Sequence, residues 1–224
     1  MTEPTLDLEP NSASASGSPW DAVGPVLVRS AFWFWALLSL ALAASLMVTH
    51  TYTMPRPATD NADLQRALAA SRAAGAEPRW LAVHFLYSAC RCSQQVLSHL
   101  FEREALPDMA ERLVLIGEHA EYESAARAAG FEVEVIPPEQ LLTRYGVSAA
   151  PLLVVADPTD RVRYVGGYTE RKQGPVIRDL AVIAALRAGH ESAELPTFGC
   201  AVSRALQTLL DPFGLRSTQP AGDD

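Results

Sequence analysis

Two cysteines separated by one residue, Cys90 and Cys92, are the side chains of this sequence best suited to chemistry. They follow an apolar and aromatic run at residues 80–87, and apolar residues at helical spacing come directly after them: Val96, Leu97, Leu100 and Phe101. This pattern predicts a buried strand, a turn that carries the thiols and a helix that begins beneath them. The N–H groups and partial positive charge of a helix N-terminus stabilise a thiolate, and Arg91 adds a cation. We therefore predict that Cys90 is a reactive thiol.

A third cysteine, Cys200, lies near the end of the chain. Three cysteines are too few for a disulfide scaffold in 224 residues, so the close pair indicates a redox site or a metal site. Cys92 is predicted to be either the thiol that resolves a mixed disulfide or a metal ligand. Cys200 is predicted to lie in the first turn of a last helix at 197–210. It would exchange a disulfide with Cys90 if that helix folds back.

The composition indicates one globular domain of ordinary size with a further segment attached, since 49% of the 224 residues are hydrophobic. The net charge is -8 and the sequence pI is near 5.1. Because the chain contains no basic cluster that would neutralise phosphates, we exclude nucleic acid as a partner.

The segment attached to that domain is an apolar stretch near the N-terminus. Residues 31–48 carry no charge, and the predicted helix over 26–49 is long enough to span a bilayer core of roughly 30 Å. Trp33 and Trp35 suit the interfacial aromatic belt. A cleaved signal peptide is the alternative, because Ala41-Leu42-Ala43 has the small residues that signal peptidase accepts. We favour a retained anchor, since apolar residues continue to Val48.

Charge alone does not orient this anchor. Arg29 flanks the apolar stretch on the N-terminal side, and Arg56 and Arg66 follow it on the other. The positive-inside rule therefore does not place the large domain outside the cytoplasm.

The remaining patterns predict an α/β domain with a mixed sheet and helices on both faces. Strands are predicted near 113–116, 131–135, 152–156 and 162–165, with helices at 120–129, 139–145 and 176–186 between or after them. His84, on the central strand, is interpreted as a structural histidine. The predicted organisation is a disordered tail at 1–25, a transmembrane helix at 26–49, a linker and helix at 50–76, the domain at 77–190, a C-terminal helical extension at 191–216 and a second disordered tail at 217–224.

Over about residues 79–188 the sequence resembles the thioredoxin fold. The resemblance rests on the strand that ends at the cysteines, on Tyr145-Gly146-Val147-Ser148-Ala149-Ala150-Pro151, on the hairpin that follows and on Gly166-Gly167. It implies that Pro151 is cis, packs beside the active-site cysteines and borders the groove where an extended partner strand docks. It also implies that Cys90 holds the nucleophile's position. The family's second cysteine position is occupied by Ser93, and Cys92 falls between the two.

The whole layout, including Phe198-Gly199-Cys200-Ala201 near the end, is similar to bacterial membrane proteins called RedB-like. That resemblance implies a single-pass membrane protein whose soluble domain faces the periplasm. We therefore expect a membrane-tethered thiol-disulfide oxidoreductase with a Cys-x-Cys site, acting on protein thiols or disulfides and requiring no cofactor. Cys90, Cys92, Cys200 and Pro151 are its candidate site residues.

Two alternatives are open. The first is a Cu(I)-binding or metal-delivery protein, because two or three thiolates among Cys90, Cys92 and Cys200, with an imidazole, suit that ion. It resembles the copper-delivering thioredoxin-fold proteins of cytochrome oxidase assembly, which space their cysteines by three. The second is a non-catalytic interaction domain that keeps only the fold.

Overall fold

The computed structural model describes residues 19–71, 78–172 and 174–210, and the chain divides into two compact units, 1–50 and 51–224. The predicted C-terminal tail at 217–224 lies outside the described residues, as does the predicted N-terminal tail up to residue 18. Helix α1, Pro19–Thr51, begins earlier than predicted. Proline suits the first turn of a helix, where its missing N–H group has no intrahelical partner to lose.

Helix α1 forms the first unit and contains the predicted membrane segment. Its stretch Leu27–Ser45 is long and apolar enough to cross a membrane, and none of this stretch is buried within the protein. A signal sequence near the N-terminus would have the same length and composition.

The second unit contains six helices and seven strands in its described residues. Helix α2 is capped by Asn61, whose side-chain oxygen accepts a hydrogen bond from the Leu64 N–H at 2.9 Å. In chain order the elements are α2 Ala62–Ser71, β1 Leu81–Tyr87, α3 Arg91–Arg103, β2 Ala110–Ile116, α4 Ala120–Ala128, β3 Glu132–Ile136, α5 Pro138–Tyr145, β4 Ala149–Ala150, β5 Leu152–Ala156, β6 Val162–Gly166, α6 Asp179–Arg187, β7 Cys200–Ala201 and α7 Arg204–Leu210.

Five of the strands form one mixed sheet in the order β3-β2-β1-β5-β6. Strands β1, β2 and β3 are parallel, whereas β5 runs antiparallel to β1 and to β6. Parallel neighbours need crossover connections, which α3 and α4 supply, and the β5-β6 pair is a hairpin. The Ala150–Pro151 peptide bond before β5 is cis, as predicted. This topology confirms the thioredoxin-like mixed sheet.

Helices cover both faces of this sheet. Alternate residues of β1 point to opposite faces, so Val83 and Phe85 join one apolar cluster with α2 and α5, while Ala82 and Leu86 join a second with α3 and α6. All seven residues of β1 are buried. A strand buried on both faces has a continuous apolar sequence, which explains the run that precedes Cys90.

The predicted last helix is wrong at its start. Residues 197–203 are not helical, and α7 begins only at Arg204, so Cys200 lies in the short strand β7. Gly199 disfavours a helix here, and the Val202 and Ser203 N–H groups instead donate to the Ser148 carbonyl at 2.9 and 3.1 Å. Of the predicted extension at 191–216, the described residues are helical only over α7.

Candidate functional site

Cys90 is the N-cap residue of α3, directly after the turn that follows β1. Its backbone is extended, with φ -98° and ψ 121°, and its carbonyl accepts the first helical hydrogen bond from the Gln94 N–H at 2.9 Å. The strand, turn and helix predicted around this cysteine are therefore present. The side chain is buried, with 1% of the residue exposed.

Cys90 and Cys200 form a disulfide. Their Cα atoms are 6.1 Å apart, although the two residues are separated by 110 positions in the sequence. That Cα distance is within the usual range for a disulfide. The structure therefore brings together the two cysteines whose contact the sequence left conditional on the fold of the C-terminal segment.

Cys92 is a free, half-buried thiol in the first turn of α3. It lines a pocket together with Val96, Pro151 and Phe198. Burial raises the pKa of the Cys92 thiol, and the positive charges of Lys172 and Arg91, with a backbone N–H, offset this only in part. Cys92 is thus less readily deprotonated than an ordinary cysteine.

Pro151 lies beside the disulfide through the pairing of β4 with β7. In this antiparallel pair Ala150 is opposite Cys200, so the residue directly before cis-Pro151 is paired with the second cysteine of the disulfide. Cys90, Pro151 and Cys200 therefore belong to one site. Ser93, at the family's second cysteine position, is buried and accepts a hydrogen bond from the Tyr87 N–H at 3.0 Å, which ties α3 to the end of β1.

Residues 194–203, here called the strap, hold Cys200 beside β4, with which Cys200 and Ala201 pair as β7. The Leu195 carbonyl accepts a hydrogen bond from the Gly167 N–H at 2.9 Å, and the Thr197 carbonyl accepts one from the Met54 N–H at 2.8 Å. Arg56 pairs with Glu194. Sequence reasoning missed the strap, although Gly167 and Gly199 were a signal. A Cβ atom at Gly167 would overlap the Pro196 carbonyl, so glycine is required where the strap crosses the chain.

A buried ion cluster lies in the other face of the sheet, between β1, β2, α3 and α6. It is defined by Arg103, Glu111 and Asp179, with His84, His99 and Tyr168 around them. The Arg103 guanidinium donates to Glu111 at 2.6 Å and to Asp179 at 2.8 Å. The two ring nitrogens of His84 contact Tyr168 Oη at 2.9 Å and Glu111 Oε1 at 3.2 Å, which confirms its structural role.

The contacts of this cluster lower the pKa of Glu111. Burial alone would raise the pKa, but hydrogen bonds with His84 and Arg103 and attraction to their positive charge outweigh it and lower the pKa from 4.5 to about 2. A carboxyl whose pKa is lower in the folded state stabilises fully above pH 4.5, and this contribution is lost as the pH falls to about 2.

We therefore expect the wild-type chain to lose about 3 kcal/mol of stability between these pH values through Glu111. Chemical denaturation across that pH range, with Glu111→Gln as the control, measures this contribution. The glutamine variant is expected to show a correspondingly smaller pH dependence. Equal pH dependence in the two proteins would contradict the ionised, buried Glu111.

Comparisons with solved structures find matches at low sequence identity and with TM-scores below 0.5. No protein-family model matches the chain, and no curated protein matches it either. A hypothetical protein from Sinorhizobium meliloti 1021 has a TM-score of 0.48 and 17% identity, over 68% of this chain and 91% of that one. An uncharacterized conserved protein from Geobacillus kaustophilus has a TM-score of 0.43 and 15% identity, over 56% and 77%. A protein from Bacteroides vulgatus, described as "a putative thiol-disulfide oxidoreductase", has a TM-score of 0.33 and 11% identity, over 50% and 76%.

Proposed function

We propose that this chain is a membrane-tethered thiol-disulfide oxidoreductase whose redox pair is Cys90 and Cys200. The observation that carries the proposal is the Cys90–Cys200 disulfide. Cys90 is the N-cap residue of α3, and Cys200 pairs with Ala150, the residue directly before cis-Pro151. A cysteine at a helix N-terminus has the electrostatic environment that favours a thiolate once the bond is reduced.

The reaction is thiol-disulfide exchange. In the reduced protein the Cys90 thiolate attacks one sulfur of a partner disulfide, forms a mixed disulfide and releases the partner's other thiolate. The Cys200 thiolate then attacks the Cys90 sulfur, releases the partner's second thiolate and re-forms the Cys90–Cys200 bond. Two electrons pass from the cysteine pair to the partner. The same two steps in reverse oxidise a partner dithiol.

Cys90 and Cys200 replace the Cys-x-Cys pair in this proposal. The structure leaves Cys92 outside the disulfide, and burial raises the pKa of its thiol, so it has no assigned step. Pro151 is a positioning residue, because it follows the Ala150 backbone that pairs with Cys200.

The tether is α1, and the proposed location of the second unit is the periplasm, as in the RedB-like proteins that the sequence resembles. Two observations support this part of the proposal. The Leu27–Ser45 segment is long and apolar enough to span a bilayer, and a disulfide persists in oxidising compartments such as the periplasm. The proposed partners are protein thiols or disulfides, with no nucleic acid and no required cofactor.

Redox titration of the full chain in detergent micelles, with the free thiols alkylated and counted by mass spectrometry, tests the proposal. We expect one two-electron transition with a midpoint above about -300 mV, in the range of exchangeable disulfides. The transition should be present in Cys92→Ser and absent in Cys200→Ser. A midpoint well below that value would indicate a structural disulfide and support the non-catalytic interaction domain.

The copper alternative is distinguished by titrating the reduced chain with Cu(I). The His84 imidazole is not available as a ligand, because both of its ring nitrogens are hydrogen-bonded within the buried ion cluster. Within the described residues, no three His, Cys, Asp or Glu side chains are grouped to hold a metal ion. Tight stoichiometric Cu(I) binding that is lost in Cys92→Ser would favour metal delivery over the oxidoreductase.

A further inference from the structure

The strap covers the thiol that the proposed function needs. Cys90 is only 1% exposed, and the disulfide joins it to Cys200 in the middle of the strap. The strap is attached on both sides of Cys200. Upstream its backbone bonds to Met54 and Gly167, and downstream Val202 is buried in the first apolar cluster. A partner sulfur therefore reaches Cys90 only when the strap leaves β4.

Around Cys200 the strap is held mainly through its backbone. Strand β7 pairs with β4 over two residues, and the Val202 and Ser203 N–H groups donate to the Ser148 carbonyl at 2.9 and 3.1 Å. Such contacts recognise an extended backbone, because every peptide carries the same N–H and carbonyl groups. The β4 edge is thus suited to any extended segment that satisfies the steric limits of the site.

Gly199 shows what those limits are. A Cβ atom at this position would overlap the Ala150 carbonyl oxygen and Pro151 Cδ. Both obstacles belong to the backbone or to a proline ring, which do not move aside as a flexible side chain does. A segment that follows the path of the strap must therefore have glycine directly before its cysteine.

We propose that the β4 edge takes an extended partner segment with a glycine directly before its reactive cysteine, and that the strap is the chain's own occupant of this site. The inference rests on the proposed function and specifies its substrate class. After a dithiol reductant has reduced the Cys90–Cys200 bond and become a disulfide itself, the strap leaves. The Cys90 thiolate then attacks the partner's disulfide at the cysteine that follows the glycine, releasing the partner's other thiolate. When the strap returns, the Cys200 thiolate attacks the Cys90 sulfur and expels the partner's cysteine as a thiolate.

The test uses the full chain in detergent micelles with Cys92→Ser and Cys200→Ser, so that Cys90 is its one thiol. The probe is the peptide Pro-Thr-Phe-Gly-Cys-Ala-Val-Ser, whose cysteine carries thionitrobenzoate as a mixed disulfide. The matched probe has alanine in place of glycine. Release of thionitrobenzoate gives the rate, and mass spectrometry identifies the bond to Cys90. A third substitution, Gly199→Ala, weakens the packing of the strap against β4.

We expect the glycine peptide to react about tenfold faster than the alanine peptide, because the Ala150 carbonyl and the Pro151 ring leave no room for a Cβ atom at this position. Gly199→Ala should increase the reaction rate of the glycine peptide, because the strap then competes less well for the β4 edge. Equal rates for the two peptides would overturn the inference, while reaction with an activated glutathione disulfide would leave the proposed function standing. A Cys90 that reacts with none of these reagents would overturn both.

Discussion

Replacing Cys90 with serine should reduce the chain's catalysis of thiol-disulfide exchange to the background rate of the reductant alone. The substitution removes the sulfur that the proposed function uses as nucleophile, and serine does not form the mixed disulfide. The measurement is reduction of a disulfide-linked peptide by dithiothreitol, with and without the full chain in detergent micelles.

Two further cysteine variants make this result specific. Cys200→Ser should slow turnover and accumulate a mixed disulfide on Cys90, because the thiol that resolves it is missing. Cys92→Ser is the matched control, since the residue lies in the same helical turn but outside the disulfide. Activity that survives in Cys90→Ser and disappears in Cys92→Ser would transfer the nucleophile's role to Cys92.

Replacing Arg103 with alanine should lower the free energy of unfolding by about 3–5 kcal/mol, the usual cost of removing one partner of a buried ion pair. The Glu111 and Asp179 side chains are fully buried, and Arg103 donates to both of them. Its loss leaves two carboxylates away from water without their main compensating charge. Urea denaturation followed by circular dichroism, at a fixed oxidation state, measures the change.

Arg127→Ala is the control for this variant. Arg127 pairs with Glu123 one turn away on α4, and both side chains are exposed to solvent. Exposed pairs of this kind contribute roughly 0.3–0.5 kcal/mol, so the control should change stability little. If the two substitutions cost the same, the buried ion cluster is not a main source of the domain's stability.

The fold and the position of Cys90 were predictable because local patterns encode them. The apolar run before Cys90 marks a strand buried on both faces, and the change to helical spacing marks the start of α3. Gly146 ends α5 with φ 67°, the left-handed conformation expected of a helix C-cap glycine. Each of these features depends on residues close together in the sequence.

The strap and the buried ion cluster were not predictable, because both depend on distant residues. Strand β7 has two residues, too few to show a period, and its register is fixed by Ala149 and Ala150 far earlier in the chain. The apolar residues of α7 indicated a helix, and the predicted helix was placed too far toward the N-terminus, so that it included Cys200. Glu111 and Asp179 look like surface charges in the sequence, and only their shared contact with Arg103 explains their burial.

The contacts of Met54 and Arg56 fix where the folded domain can be cut from its anchor. The sequence predicted a linker here, yet the Met54 N–H bonds to the Thr197 carbonyl at 2.8 Å and Arg56 bonds to the Leu195 carbonyl at 3.2 Å. A fragment that starts after Pro57 keeps all three cysteines but lacks these attachments of the strap. Its disulfide would therefore report on a loosened strap, whereas a fragment that starts at Thr51 retains the attachments of the full chain.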